Sequence, residues 1–162
     1  MARYDRDKLG KIIISNSCIK LRNTAIYFEN FMLHLIRENV SRKTLIEAKV
    51  PWIFSSAYLE NGIIIDELVR LQLNYPHPQT FNGFKTQLEA LFKFNSTSWF
   101  QEIQGPALII GSDEDILCPL DSERLASHID DAKFVEFHRV GHSPMIEKPH
   151  DYVGIIANYL NP

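Results

Sequence analysis

Two short runs of aliphatic residues, in Lys11–Leu21 (Lys-Ile-Ile-Ile-Ser-Asn-Ser-Cys-Ile-Lys-Leu) and in Ala107–Ile110, most constrain the fold of this chain. Their apolar residues are continuous rather than alternating, as in a strand covered on both faces of a parallel sheet. Lys133–Phe137 reads as a third strand. Between and after these runs the apolar spacing changes to that of helices. From Asn23, a good N-cap residue, to about Asn39, the positions Ile26, Phe28, Phe31, Met32, Leu35 and Ile36 form a helical stripe. Ser41–Lys49 predicts a shorter helix ended by Pro51. Trp52, Phe54 and Tyr58 crowd an irregular or briefly helical stretch.

Asp66–Leu73 predicts a helix stopped by Pro76-His-Pro78, and Phe81, Phe84, Leu88, Leu91 and Phe92 mark another. Leu120–Ile129 predicts a helix capped near Asp121 or Ser122. Pro149 opens a closing helix with Val153, Ile156, Ala157 and Leu160 on its apolar face. The order is strand, several helices, strand, helix, strand, helix. With right-handed crossovers, that order makes the three strands parallel.

Composition narrows the function classes. The 162 residues carry a net charge of −3, with no basic run to neutralise a series of phosphates, so nucleic acid is not an expected partner. No apolar run approaches the roughly 18 residues of a membrane span, and the first residues lack a secretory h-region. Two widely separated cysteines, Cys18 and Cys118, form neither a metal pair nor a disulfide framework. A reduced, cytoplasmic protein is the expectation. Cys18 reads as a small buried hydrophobe and Cys118 as an ordinary loop residue before Pro119.

Parallel sheets bind ligands at the carboxyl ends of their strands. Two polar clusters fall there: Gly111-Ser-Asp-Glu-Asp-Ile-Leu-Cys-Pro119 and His138-Arg-Val-Gly-His-Ser-Pro144. A carboxylate on one loop and an imidazole on the next can form the orienting half of an acyl-transfer site. The carboxylate fixes the tautomer, and the second ring nitrogen acts as general base. Taken alone, the acidic loop could equally cap the following helix. A metal reading of His138 and His142 with Asp113, Asp115 and His150 is disfavoured, because Gly141 and Pro144 make the segment a turn and no His-Glu-x-x-His motif is present. No metal or other cofactor is expected.

Leu108–Pro119, then Leu125-Ala126, then Val140-Gly-His-Ser-Pro-Met-Ile-Glu-Lys-Pro149 together resemble the C-terminal part of an α/β-hydrolase. The resemblance implies that Asp115, followed by Pro119, is the triad acid and His142 the triad base. Asp113 is the alternative acid. Pro51-Trp-Ile-Phe-Ser, Pro78–Leu91 and Trp99–Ile103 resemble the helical lid of small esterases and of lactonases such as 3-oxoadipate enol-lactonase. Lys11–Leu21 resembles the strand leading into that lid, and Met1–Asp7 the tail of the helix after the nucleophile.

The implied architecture is a partial α/β-hydrolase fold of three parallel strands, flanking helices and a helical lid. Its parts are residues 1–22 as helix tail and core strand, 23–98 as lid, and 99–162 as the core that carries the acid and histidine loops. Trp52, Phe54, Phe84 and Trp99 are lid aromatics, and any that face a substrate would favour a small apolar acyl group.

In this family the serine sits on a Gly-x-Ser-x-Gly turn, and no such motif occurs in these residues. Ser15, Ser17 and Cys18 lack the strand-turn-helix setting of a nucleophile. The expectation is the acid-base portion of a serine hydrolase of esters or lactones, inactive alone. The alternative is a non-catalytic remnant serving binding or assembly. A sheet lacking neighbours on one side should be sticky, and should pair with an N-terminal half or dimerise through that edge.

Overall fold

The computed structural model describes residues 9–119 and 121–161. The reading of Met1–Asp7 as a helix tail lies outside these residues. Three strands, β1 (Ile12–Ser15), β2 (Ala107–Ser112) and β3 (Ala132–Phe137), form one parallel sheet in the order β1-β2-β3. The register pairs Ile12 with Ala107 and Ser15 with Ile110, then Ala107 with Ala132 and Ser112 with Phe137. The parallel sheet follows the order of elements read from the sequence.

Strand β1 is shorter than expected. Asn16 takes a left-handed backbone (φ 42°), a conformation asparagine tolerates better than most residues, and the turn ends the strand four residues after it starts. All four β1 residues are only partly buried, so the continuous aliphatic run does not lie in the sheet centre. That position belongs to β2, where Ala107, Leu108, Ile109 and Ile110 are fully buried.

Ala107 and Ile109, with Ile12 and Ile14, face one side, where Phe100, Leu125 and Ile129 cover them. Leu108 and Ile110, with Ile13 and Val135, face the other, under Tyr152, Ile155, Ile156 and Tyr159. Alternate residues of β2 thus enter two separate cores, as the two-residue period of a strand requires.

Between β1 and β2 the chain forms α1 (Asn23–Arg37), α2 (Arg42–Ile53), α3 (Ser56–Leu59), α4 (Gly62–Leu73) and α5 (Phe81–Lys93), then a single 3-10 turn at Phe100–Glu102. Phe28 and Met32 of α1 meet Phe84 and Leu88 of α5 in a third core, flanked by Trp52. Ser41, Ser55, Asn61 and Thr80 cap helices with side-chain oxygens that accept backbone N–H bonds.

Several local expectations are corrected. Asn23 is the first residue of α1 rather than its cap, and the cap position falls on Arg22, whose side chain makes no cap bond. Pro51 lies inside α2 instead of ending it. It forfeits one N–H near the C-terminus, and the next turn still closes through Phe54 N–H to Val50 O (3.1 Å).

The helix predicted from Leu120 is α6 (Asp121–Ala126), and two helices follow β3: α7 (Pro144–Glu147), which the sequence reading missed, and α8 (Pro149–Leu160). The Asp121 carboxylate accepts the Ile19 N–H (2.8 Å) and ties down the loop after β1. On α8 the packed face is Tyr152, Ile155, Ile156 and Tyr159, whereas Val153 and Leu160 are exposed. Two stripes share Ile156, and the one with two large tyrosine rings covers the sheet.

Candidate functional site

The three β-strands end at one edge of the sheet, where the loop after β1, the acid loop after β2 and the histidine loop after β3 converge. Asp115 is almost wholly buried there, and His142 Nδ1 lies 2.9 Å from its Oδ2. An ionised carboxylate can only accept, so the imidazole carries its proton on Nδ1 and leaves Nε2 unengaged by Asp115.

The other acceptor sites of Asp115 are taken as well. Oδ1 receives Leu117 N–H and Cys118 N–H, each at 3.0 Å, and Oδ2 also receives the Asn16 amide at 3.1 Å. Burial pushes the Asp115 carboxyl upward. The His142 hydrogen bond and charge, the Cys118 N–H and the Asn16 amide overcome it and hold the group below the ordinary carboxylate range.

Asn16 was not singled out from the sequence. Its left-handed turn aims the amide at Asp115, and the same NH2 group reaches Ser112 Oγ (2.9 Å) and Gly141 O (3.4 Å), joining all three loops. An asparagine directly after an aliphatic strand was the available signal.

Asp113 serves a different purpose. It accepts Arg139 N–H at 2.7 Å and lies 3.3 Å from the exposed His138 ring, so it braces the β3 turn, whereas Asp115 is the carboxylate paired with His142.

The histidine loop is strapped to the end of α2. His142 N–H donates to Ile53 O (2.8 Å), and Gly141 packs against the backbone of Ile53, Phe54 and Ser55. Glu147 clamps the strap from the other side: its carboxylate accepts Gly141 N–H (2.9 Å), Ser55 N–H (3.1 Å) and the Ser55 hydroxyl (2.5 Å). The Gly-His-x-Pro-x-x-Glu spacing is thereby explained. One turn of α7 returns the glutamate to the glycine.

A cavity of about 360 Å³ opens beside His142, walled by Asn16, Ser17, Cys18, Leu21, Ala25, Glu29, Leu91, Phe94, Leu117 and Cys118. The lid aromatics Trp52, Phe54, Phe84 and Trp99 are not among the residues that line it. Trp52 stacks on Phe28 (4.4 Å between centroids) and Phe54 on Tyr58 (5.0 Å), Trp99 packs beneath the sheet, and Phe84 lines a separate cavity of about 400 Å³ within the helices, away from His142. Trp52 and Phe84 pack into the core between α1 and α5, and the cavity takes its wall from other residues of these helices, Ala25, Glu29 and Leu91. Cys18 is half-buried in this wall rather than in a core, and Cys118 is buried beside it.

Atoms of Asp115, Cys118 and His142 lie within 4.8 Å of one another, close enough for a metal ion. Both Asp115 oxygens already accept two hydrogen bonds each, so binding an ion would cost the carboxylate its histidine.

Glu29 enters the cavity from α1, and its buried Oε2 has no hydrogen-bond partner. Burial raises its pKa, opposed by the Lys49 and His142 charges. A carboxyl raised in the fold costs stability once it ionises. That cost begins at the unfolded value and grows as pH climbs to the folded one. Glu29→Gln is therefore expected to be more stable than the wild type at pH 7–8, by about 1 kcal/mol as for a mildly unsatisfied buried group. The difference should vanish at pH 4, and urea titrations at the two pH values would measure it. Equal gaps at both would remove ionisation as the cause.

Several solved structures superpose on the chain. An α/β-hydrolase enzyme from a Medee basin deep-sea metagenome library superposes with a TM-score of 0.85 at 17% identity, over 99% of this chain and 59% of that one. The enol-lactonase of Burkholderia xenovorans LB400 gives 0.79 at 18% identity over 99% and 60%, and a thermophilic esterase of Thermogutta terrifontis 0.77 at 20% over 98% and 58%. The three parallel strands and their flanking helices thus form part of an α/β-hydrolase fold.

Among curated sequences, a proline iminopeptidase of Heyndrickxia coagulans is 33% identical over 76 residues, which is 47% of this chain and 26% of that protein. No family model matches the chain. The chain spans about three fifths of the length of these solved structures and about a quarter of the curated relative. Among the described residues, no helix is long and apolar enough to cross a membrane.

Proposed function

We propose that this chain carries the acid and base of a serine hydrolase acting on a small ester or lactone. His142 is the general base, Asp115 orients it, and a serine on a segment outside these 162 residues attacks the carbonyl. The observation that carries the reading is the 2.9 Å hydrogen bond that His142 Nδ1 donates to a buried, fully hydrogen-bonded carboxylate. It leaves Nε2 as the proton acceptor for a nucleophile. The apolar wall formed by Leu21, Ala25, Leu91, Phe94 and Leu117 suits a small, mostly hydrocarbon acyl group. Helices α1–α5 act as the lid over it.

The free edge of β1 is where the serine-bearing portion joins. Among the described residues β1 pairs only with β2, and its side chains are half-covered, as expected of a strand that takes a further neighbour. The test is to co-express the chain with the adjoining genomic segment that encodes strand, Gly-x-Ser-x-Gly and helix. The pair should cleave a p-nitrophenyl ester, and His142→Ala should cost about 10³-fold or more in kcat. Assembly without activity, or the lack of any such segment, would overturn the reading and leave a binding or assembly role.

A further inference from the structure

The hydrolase reading leaves two thiols unused, and the fold brings them together. Cys18 lies in the loop after β1 and Cys118 in the acid loop, and both wall the cavity beside His142. Each backbone is held. The loop of Cys18 is pinned by Asn16 N–H to Ile110 O (2.9 Å) and Ile19 N–H to Asp121 (2.8 Å), and Cys118 N–H is bonded to Asp115 (3.0 Å).

The two side chains are unequal. Cys18 is partly open to the cavity, and Cys118 is buried. The Cys118 thiol, as hydrogen-bond partner, lowers the Cys18 pKa to about 7 against the effect of burial. The same interaction, with burial, pushes Cys118 up. Cys18, open to the cavity, is the sulfur an entering oxidant meets first, and Cys118, buried in the same wall, is the one left to follow. This division of labour suits a peroxide-reacting cysteine and its resolving partner.

We infer that Cys18 and Cys118 are a redox-active pair in the wall of the His142 cavity, oxidised by a hydroperoxide to an intramolecular disulfide. The Cys18 thiolate attacks one peroxide oxygen; an S–O bond forms, the O–O bond breaks, and the departing oxygen takes a proton and leaves as water or an alcohol. The Cys118 sulfur then attacks the Cys18 sulfenic acid, forming the S–S bond. Water leaves with the sulfenic oxygen and the Cys118 proton. Two thiols are oxidised and one peroxide is reduced. The disulfide ties the β1 loop to the acid loop at the back of Asp115. None of this depends on the hydrolase reading.

The test treats the reduced 162-residue chain with hydrogen peroxide at pH 7 and follows intact mass and free thiols. The wild type should lose both thiols together and two hydrogens in mass, run as a monomer on a non-reducing gel, and recover with dithiothreitol. Cys118→Ser should stop at a sulfenic acid that dimedone captures. Its Cys18 should react roughly fivefold more slowly, the gain in thiolate being partly offset by the lower nucleophilicity of a low-pKa sulfur. In Cys18→Ser, Cys118 should react no faster than in denaturant. A disulfide only between chains, equal Cys18 rates with and without Cys118, or first attack by Cys118 would each overturn the assignment.

Discussion

Replacing Gly141 with alanine is expected to destabilise the chain by about 3 kcal/mol, the upper end of overpacking costs, and to loosen His142. A β-carbon at this position would lie 2.6 Å from Ile53 O, 2.8 Å from the Phe54 carbonyl carbon and 2.8 Å from Ser55 N. All three are backbone atoms, so no side-chain rotation relieves the contact. The strap must move away from the end of α2. Moving it stretches His142 N–H to Ile53 O and draws Gly141 N–H and Ser55 away from Glu147. Urea unfolding measures the first effect, and the His142 ring resonances in NMR the second. An unfolding midpoint unchanged from wild type would mean that the histidine loop does not rest on the α2 terminus.

How the sequence announced this site explains what it could and could not reveal. The acid and histidine loops were legible because each follows a strand-like run, and the loops of adjacent parallel strands must meet at one edge of the sheet; within them, Asp115 and His142 came from the resemblance. The resemblance put Asp115 first and kept Asp113 as the alternative, and it is the turn of the loop that faces Asp115 inward to His142 and leaves Asp113 on the β3 turn.

Local pattern misled where burial is decided by distant partners. The Lys11–Leu21 run looks like a central strand, yet Asn16 turns it out of the sheet and Ile19 is buried in a loop instead. Trp52 and Phe84 announce a core and do form one, but a stripe of aromatic residues cannot say which side of it opens to a ligand. Glu147 lay in plain sight within the Gly-His-x-Pro-x-x-Glu segment. Its partner Ser55 is too far along the chain for any spacing rule to connect the two.

Asparagine in place of Asp115 is expected to be the most damaging conservative change at the site, because no orientation of the amide fits. Oδ1 faces two N–H donors, from Leu117 and Cys118, and Oδ2 faces two more, from Asn16 and His142. An amide must turn its NH2 toward one of these pairs, setting donor against donor in a buried space. Turned toward His142, it forces the imidazole proton from Nδ1 to Nε2, and the ring can no longer accept a proton from a nucleophile. In the proposed assembly with a serine-bearing segment, Asp115→Asn should therefore lower kcat by about 10⁴-fold, the scale of a misplaced tautomer. Stability should fall by about 1–3 kcal/mol at neutral pH, the cost of buried donors left unsatisfied. That second effect carries its own signature. In the fold the Asp115 carboxyl is held below its ordinary range, so its contribution is complete above the unfolded value near 3.9 and is withdrawn as pH falls through the lower folded one. Wild type and Asp115→Asn should differ by a constant amount from pH 8 to about pH 5 and converge below about pH 4. A gap that stayed constant into acid would show that the variant fails through packing rather than charge, and the bond to His142 would then not be what holds the acid loop in place.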